Sequence, residues 1–152
     1  PMNKAEYEAF HRELINAESV ILHEFEKRDD CLYMTDAWVE DHGVQNPAIY
    51  DCFPKFLRDS LLGTGDTMEN TISRMTGTTA ERFNLKDRGL IRPGYYADLT
   101  VFCEEELKEA IPDQKKSFGI HKVWINGKPV LDEGKIDEEL IRASGRSISV
   151  GP

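Results

Sequence analysis

The sequence predicts an α/β chain with a helix-rich first part and a β-rich second part, and three observations carry that prediction. Apolar residues recur at helical spacing from Tyr7 to about Phe83. One short apolar run, Leu32-Tyr33-Met34, interrupts them. After Gly89 the pattern changes to a Pro-Gly turn, a β-branched and aromatic run, and an Asn-Gly pair between apolar stretches.

Each element follows from local chemistry. Asn3 followed by Glu6 has the N-cap and N3 pattern of a helix start, and Tyr7, Phe10, Leu14 and Ile15 then line one face. Val20, Ile21, Leu22 and Phe25 continue that helix or begin another. Leu32, Tyr33 and Met34 read as a buried strand, too brief for a helix, that ends at Thr35-Asp36. By pattern alone Asp36 is either a loop cap or a carboxylate that the strand delivers to an active site. Beyond the polar loop His42-Gly43-Val44-Gln45-Asn46-Pro47, a second helical set comprises Ile49, Tyr50, Phe53, Phe56, Leu57, Leu61 and Leu62. Pro54 is expected close to the start of that helix.

Gly63-Thr64-Gly65 ends the set, and Asp66 with Glu69 repeats the capping pattern for a helix through Ile72 and Met75 that stops at Gly77. Thr78 or Thr79 then caps a short turn, Ala80-Glu81-Arg82-Phe83. Arg92-Pro93-Gly94-Tyr95 has the composition of a type II turn, with Gly accepting positive φ at the third place. Leu99-Thr100-Val101-Phe102 is a strand, and Glu104 to Ala110 an acidic helix ended by Pro112. Lys122-Val123-Trp124-Ile125 and Lys128-Pro129-Val130-Leu131 flank Asn126-Gly127, a strong hairpin signal. Pro129 donates nothing to a ladder, which places it at an edge or facing outward. From Arg142 the sequence reads as a polar tail without periodicity.

The 152 residues suit one ordinary core. A net charge of −9 argues against nucleic acid or an anionic membrane surface as partner. No apolar run approaches the roughly 18 residues of a membrane helix, and no secretory leader is recognisable. Cys31, Cys52 and Cys103 are odd in number and lack CxxC spacing, so reduced, partly buried thiols in a cytoplasmic protein are expected.

The segment Ala80-Glu81-Arg82-Phe83-Asn84-Leu85-Lys86-Asp87-Arg88-Gly89-Leu90-Ile91-Arg92-Pro93-Gly94-Tyr95-Tyr96-Ala97-Asp98-Leu99-Thr100-Val101-Phe102 resembles the closing segment of metal-dependent amidohydrolases. There the chain leaves a catalytic barrel and re-enters a small β-sandwich. Val123-Trp124-Ile125-Asn126-Gly127-Lys128-Pro129-Val130 is similar to the V-x-V-N-G-x-x-V hairpin of the same enzymes. Asn46-Pro47-Ala48-Ile49-Tyr50-Asp51-Cys52-Phe53-Pro54-Lys55-Phe56-Leu57 resembles the HPRxYGTFPRVL segment of the N-acyl-D-amino-acid deacylases, or D-aminoacylases. Ala143-Ser144-Gly145-Arg146-Ser147 is similar to their final GxRPGR.

This resemblance implies the C-terminal fragment of a TIM-barrel amidohydrolase: the end of the (β/α)8 barrel over 1–88, β-sandwich strands over 89–141 and a tail over 142–152. It also implies that Asp36, in Thr35-Asp36-Ala37, stands where those deacylases carry the aspartate of Ser-Asp-Gly at the end of the eighth strand. Asp36 would then contact or lie beside a zinc-bound water and act as general base, in keeping with catalytic groups at the C-terminal ends of barrel strands. One or two zinc ions are implied, with most ligands outside this chain. The implied partners are the remainder of the same enzyme and a small-molecule amide; a homo-oligomer stays open.

The departures lie near the site mouth. HPR reads Asn46-Pro47-Ala48, and GTFPR reads Asp51-Cys52-Phe53-Pro54-Lys55. Lysine does not replace an arginine that grips a carboxylate by two parallel bonds. His11, His23, His42 and His121 contain no His-x-His pair. His11 and His23 are expected on helix surfaces or edges, His42 near the site mouth, and His121 in a structural role. Alone the chain is expected to be inert, with apolar faces and strand edges exposed. A hydantoinase- or dihydroorotase-like hydrolase of a cyclic amide, and a non-catalytic piece that completes or stabilises a larger chain, are the two rival readings.

Overall fold

In this computed structural model, residues 3–35, 39–40, 43–44, 48–109 and 118–148 are described, without the side chains of 11, 15, 18, 19, 39, 40, 43, 44 and 48. Helix α1 (Lys4–Glu26) begins as its sequence predicts: the Asn3 side chain accepts from the Glu6 amide at 3.0 Å, and the Glu6 carboxylate accepts from the Asn3 amide at 2.8 Å. It runs unbroken, so the two apolar groups belong to one helix. Phe10, Leu14, Val20, Ile21 and Phe25 along it are exposed.

Residues 31–35 form no strand, and among the described residues nothing pairs with them. This corrects the reading of Leu32-Tyr33-Met34 as a strand, since a ladder needs a neighbouring chain and apolar character alone supplies none. A two-residue pair follows, β1 (Val39–Glu40) antiparallel to β2 (Gly43–Val44). Helix α2 (Ala48–Leu62) contains Pro54 in its interior rather than at its start. The ring withholds one intrahelical hydrogen bond there, and packing of the flanking Phe56 and Leu57 accompanies the continued helix.

Helix α3 (Met68–Met75) is capped by Thr67, which accepts from the Asn70 amide at 3.2 Å, and not by Asp66. Helix α4 (Gly77–Arg82) follows at once, without a side-chain cap from the expected threonines. Ser60 Oγ and Thr71 Oγ1, 2.7 Å apart, tie α2 to α3, and Thr71 is fully buried.

The second part is an antiparallel meander of β3 (Leu99–Phe102), β4 (Ile120–Ile125), β5 (Lys128–Asp132) and β6 (Lys135–Ile136), in that spatial order. The Tyr95 amide donates to the Arg92 carbonyl at 3.1 Å with Gly94 at φ +90°, as the type II turn requires. Asn126 and Gly127 both have positive φ, the type I′ geometry whose twist matches the flanking strands. Pro129 pairs with Trp124 on one side, while β6 reaches only Leu131 and Asp132 on the other, so the imino group faces no ladder.

Helix α5 (Glu104–Glu109) packs on α2 and buries Leu107 completely. A Cβ on Gly119 would approach Leu107 Cγ to 2.8 Å, so only glycine lets β4 begin there. Residues 142–144 of the supposed tail belong to helix α6 (Glu138–Ser144), which is capped by Asp137 accepting from the Leu140 amide at 2.9 Å. Asp137 followed by two acids and two apolar residues was the available signal for it. Among the described residues the buried apolar core is Leu57, Ala80, Leu107 and Val130.

Candidate functional site

Asp36, the residue singled out for catalysis and metal contact, lies outside the described residues, as do His42, Asn46 and Pro47. The structure does describe the chain that leads to Asp36 and what holds it.

The holding group is Arg74, on α3 and almost wholly buried. Its Nη1 donates to the Arg28 carbonyl at 2.6 Å and to the Cys31 carbonyl at 3.4 Å. Its Nη2 donates to the Glu26 carbonyl, to Tyr33 Oη at 2.7 Å and to Asp66 Oδ2 at 2.9 Å. The planar fork thus gathers the end of α1 and the strandless segment onto α3, a task a lysine point charge cannot perform. Tyr33 stacks beneath the same guanidinium, 4.7 Å from its carbon to the ring centre, and tilts against Phe56 at 4.4 Å. Burial pushes the Tyr33 phenol up from its ordinary pKa, so it remains a neutral hydrogen-bonding group. Sequence reading missed Arg74, whose partners are more than forty positions away except for Asp66.

Of the positions at which the chain departs from the deacylase segment, Asp51, Cys52 and Lys55 are engaged, while Asn46 and the Ala48 side chain lie outside the described residues. Cys52 Sγ donates to the Met34 carbonyl at 3.3 Å, fixing the segment two residues before Asp36, and burial pushes its thiol up from the usual range. Asp51 accepts two bonds from the buried Arg58, at 3.3 and 2.5 Å. Lys55 binds Asp59 and stands 3.8 Å from Glu26.

A second junction joins the helical part to the hairpin. Arg88 pairs with Asp98 and donates to Asn126 Oδ1 at 2.6 Å; Asp98 Oδ1 accepts from the Asn126 amide at 2.7 Å. Asn126 Nδ2 in turn donates to the Ser144 carbonyl at 2.6 Å. The tight turn is therefore pinned by the residues ahead of β3 and by α6.

Two groups of ligand-type atoms occur among the described residues: His23, Glu26 and Asp59, and Cys103, Glu106 and His121. Neither includes a residue of 31–35. His121 lies between two carboxylates, with Nδ1 3.0 Å from Glu133 and Nε2 3.1 Å from Glu106, which raise its pKa. This agrees with the structural role expected of it. Cys31, Cys52 and Cys103 are free and partly buried, as their spacing implied. Among the described residues no helix is long and apolar enough to cross a membrane.

Comparison with known proteins identifies the class to which this meander and helical part belong. The profile described as "Amidohydrolase family" matches residues 47–131. The chain belongs to that family. It is 35% identical over 92 residues to a D-aminoacylase of Alcaligenes xylosoxydans xylosoxydans, covering 58% of this chain and 19% of that protein. An N-acyl-D-aspartate deacylase of the same organism is 41% identical over 70 residues, covering 43% and 14%. An adenine deaminase of Oceanobacillus iheyensis is 32% identical over 114 residues, covering 75% and 17%.

The fold agrees. A crystal structure of a D-aminoacylase, described as defining a novel subset of amidohydrolases, superposes with a TM-score of 0.56 at 31% identity over 68% of this chain and 22% of that one. Another D-aminoacylase structure, with a TM-score of 0.52 at 31% identity and the same coverage, concerns a binuclear metal centre with one-metal activation and second-metal attenuation. The chain thus spans about a fifth of the length of the proteins it matches.

Proposed function

We propose that this chain supplies the C-terminal end of the catalytic barrel, and strands of the small β-sandwich, in a metal-dependent amidohydrolase that cleaves a linear amide. N-acyl-D-amino acids are the favoured substrates. The observation that carries this reading is likeness to D-aminoacylases in both sequence and fold. Exposed Phe10, Leu14, Val20, Ile21 and Phe25 on α1, with the small described core, support a place within a larger body that covers them.

In this reading Asp36 is the general base at the end of the segment that Arg74 and Cys52 hold. It accepts a proton from the attacking water and returns it to the departing amine. Zinc, when bound by the complete enzyme, supplies a water whose pKa is lowered to about 7, within reach of a carboxylate base. Tying Arg28, Cys31, Tyr33 and Met34 to α2 and α3 restricts where Asp36 can stand, and such positioning governs rate more than affinity.

The experiment is Asp36→Asn in the complete enzyme, assayed on N-acetyl-D-amino acids. Turnover falls by about 10³-fold or more, within the range of a lost general base and its orientation, while zinc content is kept. Near-normal hydrolysis removes Asp36 from the mechanism. A second reading, hydrolysis of a cyclic amide, is favoured by a match to a dihydroorotase of Lactobacillus johnsonii, 32% identical over 81 residues. The adenine deaminase match, which covers three-quarters of this chain, adds displacement of a ring amine as a class to test. Parallel assays on adenine, a hydantoin and a dihydroorotate decide between them, and no turnover of any class by the complete enzyme supports the non-catalytic alternative.

A further inference from the structure

We propose that His23, Glu26 and Asp59 form a binding site for a first-row divalent cation, with Lys55 as its exchangeable counter-ion. The three ligand atoms, one nitrogen and two carboxylate oxygens, all lie within 4.8 Å of one another, and His23 Nε2 is 3.9 Å from Asp59 Oδ2. Around an ion with bonds of about 2.1 Å, tetrahedral ligands stand about 3.4 Å apart, so side-chain movement of about an ångström closes the shell.

Glu26 is what marks the place as more than an ion pair. It is 3% exposed, and among the described residues neither of its carboxylate oxygens has a hydrogen-bond partner. A carboxylate is rarely left in that condition, because burying a charge without a compensating partner is strongly unfavourable. Lys55 Nζ, 3.8 Å from Glu26 Oε1, is beyond hydrogen-bond reach and is committed to Asp59. Arg74, the other nearby cation, spends its fork on Asp66 and on backbone carbonyls. Two carboxylates thus face one ammonium group. A divalent ion in place of Lys55 balances both.

The route is open. The Lys55 side chain is 38% exposed and His23 32%, so the lysine can swing outward and an ion can enter past the imidazole. On the inner side the site is closed by Gly65, where a Cβ would come within 2.9 Å of Glu26 Oε2. One imidazole among carboxylates favours zinc, cobalt or manganese over calcium or magnesium, which take oxygen shells of six or more. Such an ion would clamp the end of α1 to α2 beside the segment that Arg74 holds. The inference stands independently of the reaction proposed above.

The test is calorimetric titration of the metal-stripped full-length protein with ZnCl2, with CoCl2 absorption reporting the nitrogen ligand. Wild type binds one equivalent more than either Glu26→Gln or His23→Asn, and only wild type gains thermal stability from that equivalent. Lys55→Met, which removes the competing cation, tightens the site tenfold or more. Equal stoichiometry in wild type and His23→Asn overturns the proposal. So does a Lys55→Met variant whose affinity is unchanged, because the cluster is then an internal ion pair. His23 is partly exposed on a helix, so its substitution keeps the test decisive if Glu26→Gln does not fold.

Discussion

Replacing Arg74 with methionine tests the anchoring of the segment ahead of Asp36. The side chain is 5% exposed and its partner Asp66 12%, so the pair counts as buried, and removing one member of a buried pair costs about 3–5 kcal/mol. An independent count gives a similar figure. The carbonyls of Arg28 and Cys31 lie near solvent and regain water, whereas that of the buried Glu26 does not, costing about 1–3 kcal/mol. The lost charge-assisted bond to Asp66 adds about 1.5–3 kcal/mol. Together they amount to a third or more of the stability of a typical domain. Arg74→Lys keeps the charge but cannot span the same acceptors, so an intermediate loss of about 2 kcal/mol is expected. Urea unfolding of the full chain gives the free energies, and hydrogen exchange shows whether amides at 26–35 open first. A loss below about 1 kcal/mol in Arg74→Met, with unchanged exchange at 26–35, would refute the anchoring role.

The hairpin junction and His121 give two further expectations. Asp98→Ala removes acceptors for Arg88 and for the Asn126 amide; because Asp98 is 37% exposed, solvent screening reduces the cost to about 1–2 kcal/mol, read from denaturant midpoints, with Asp98→Asn retaining part of it. His121 faces Glu106 and Glu133, and Glu133 also faces Lys122; a raised folded-state pKa means its contribution is complete below the ordinary value of 6.5 and is lost as pH rises through the raised one. Stability therefore declines above pH 6.5 in wild type, and His121→Gln flattens that part of the profile; an unchanged slope in the variant would count against the carboxylate pairing.

How much was legible in the sequence depended on how far each signal had to reach. The Asn3/Glu6 capping box, the Arg92–Tyr95 turn, Leu99–Phe102 and the Asn126-Gly127 hairpin stand as their residues predict, because every partner lies within a few positions. Asp66 was misassigned as a cap for the opposite reason: it carries the right chemistry, but Arg74 draws its Oδ2 while Thr67 takes over the helix start. Lys55, read against a missing arginine, has Asp59 and Glu26 as partners, and proximity to Glu26 depends on how α1 meets α2. The α6 helix was passed over although Asp137 marks its start, since a short polar helix shows little apolar periodicity.

By itself the sequence determined the helical and β-rich parts, the turns between strands and the family resemblance, all of which rest on short-range backbone preferences and ordered motifs. Only the tertiary structure decided that residues 31–35 are held by a guanidinium and a thiol rather than by a ladder. It also decided that the Glu26 carboxylate is buried with no hydrogen-bond partner among the described residues. The physical reason is common to both: a buried polar group takes its partner from whatever the packing brings near, and that choice is made across dozens of residues, beyond the range of any local pattern.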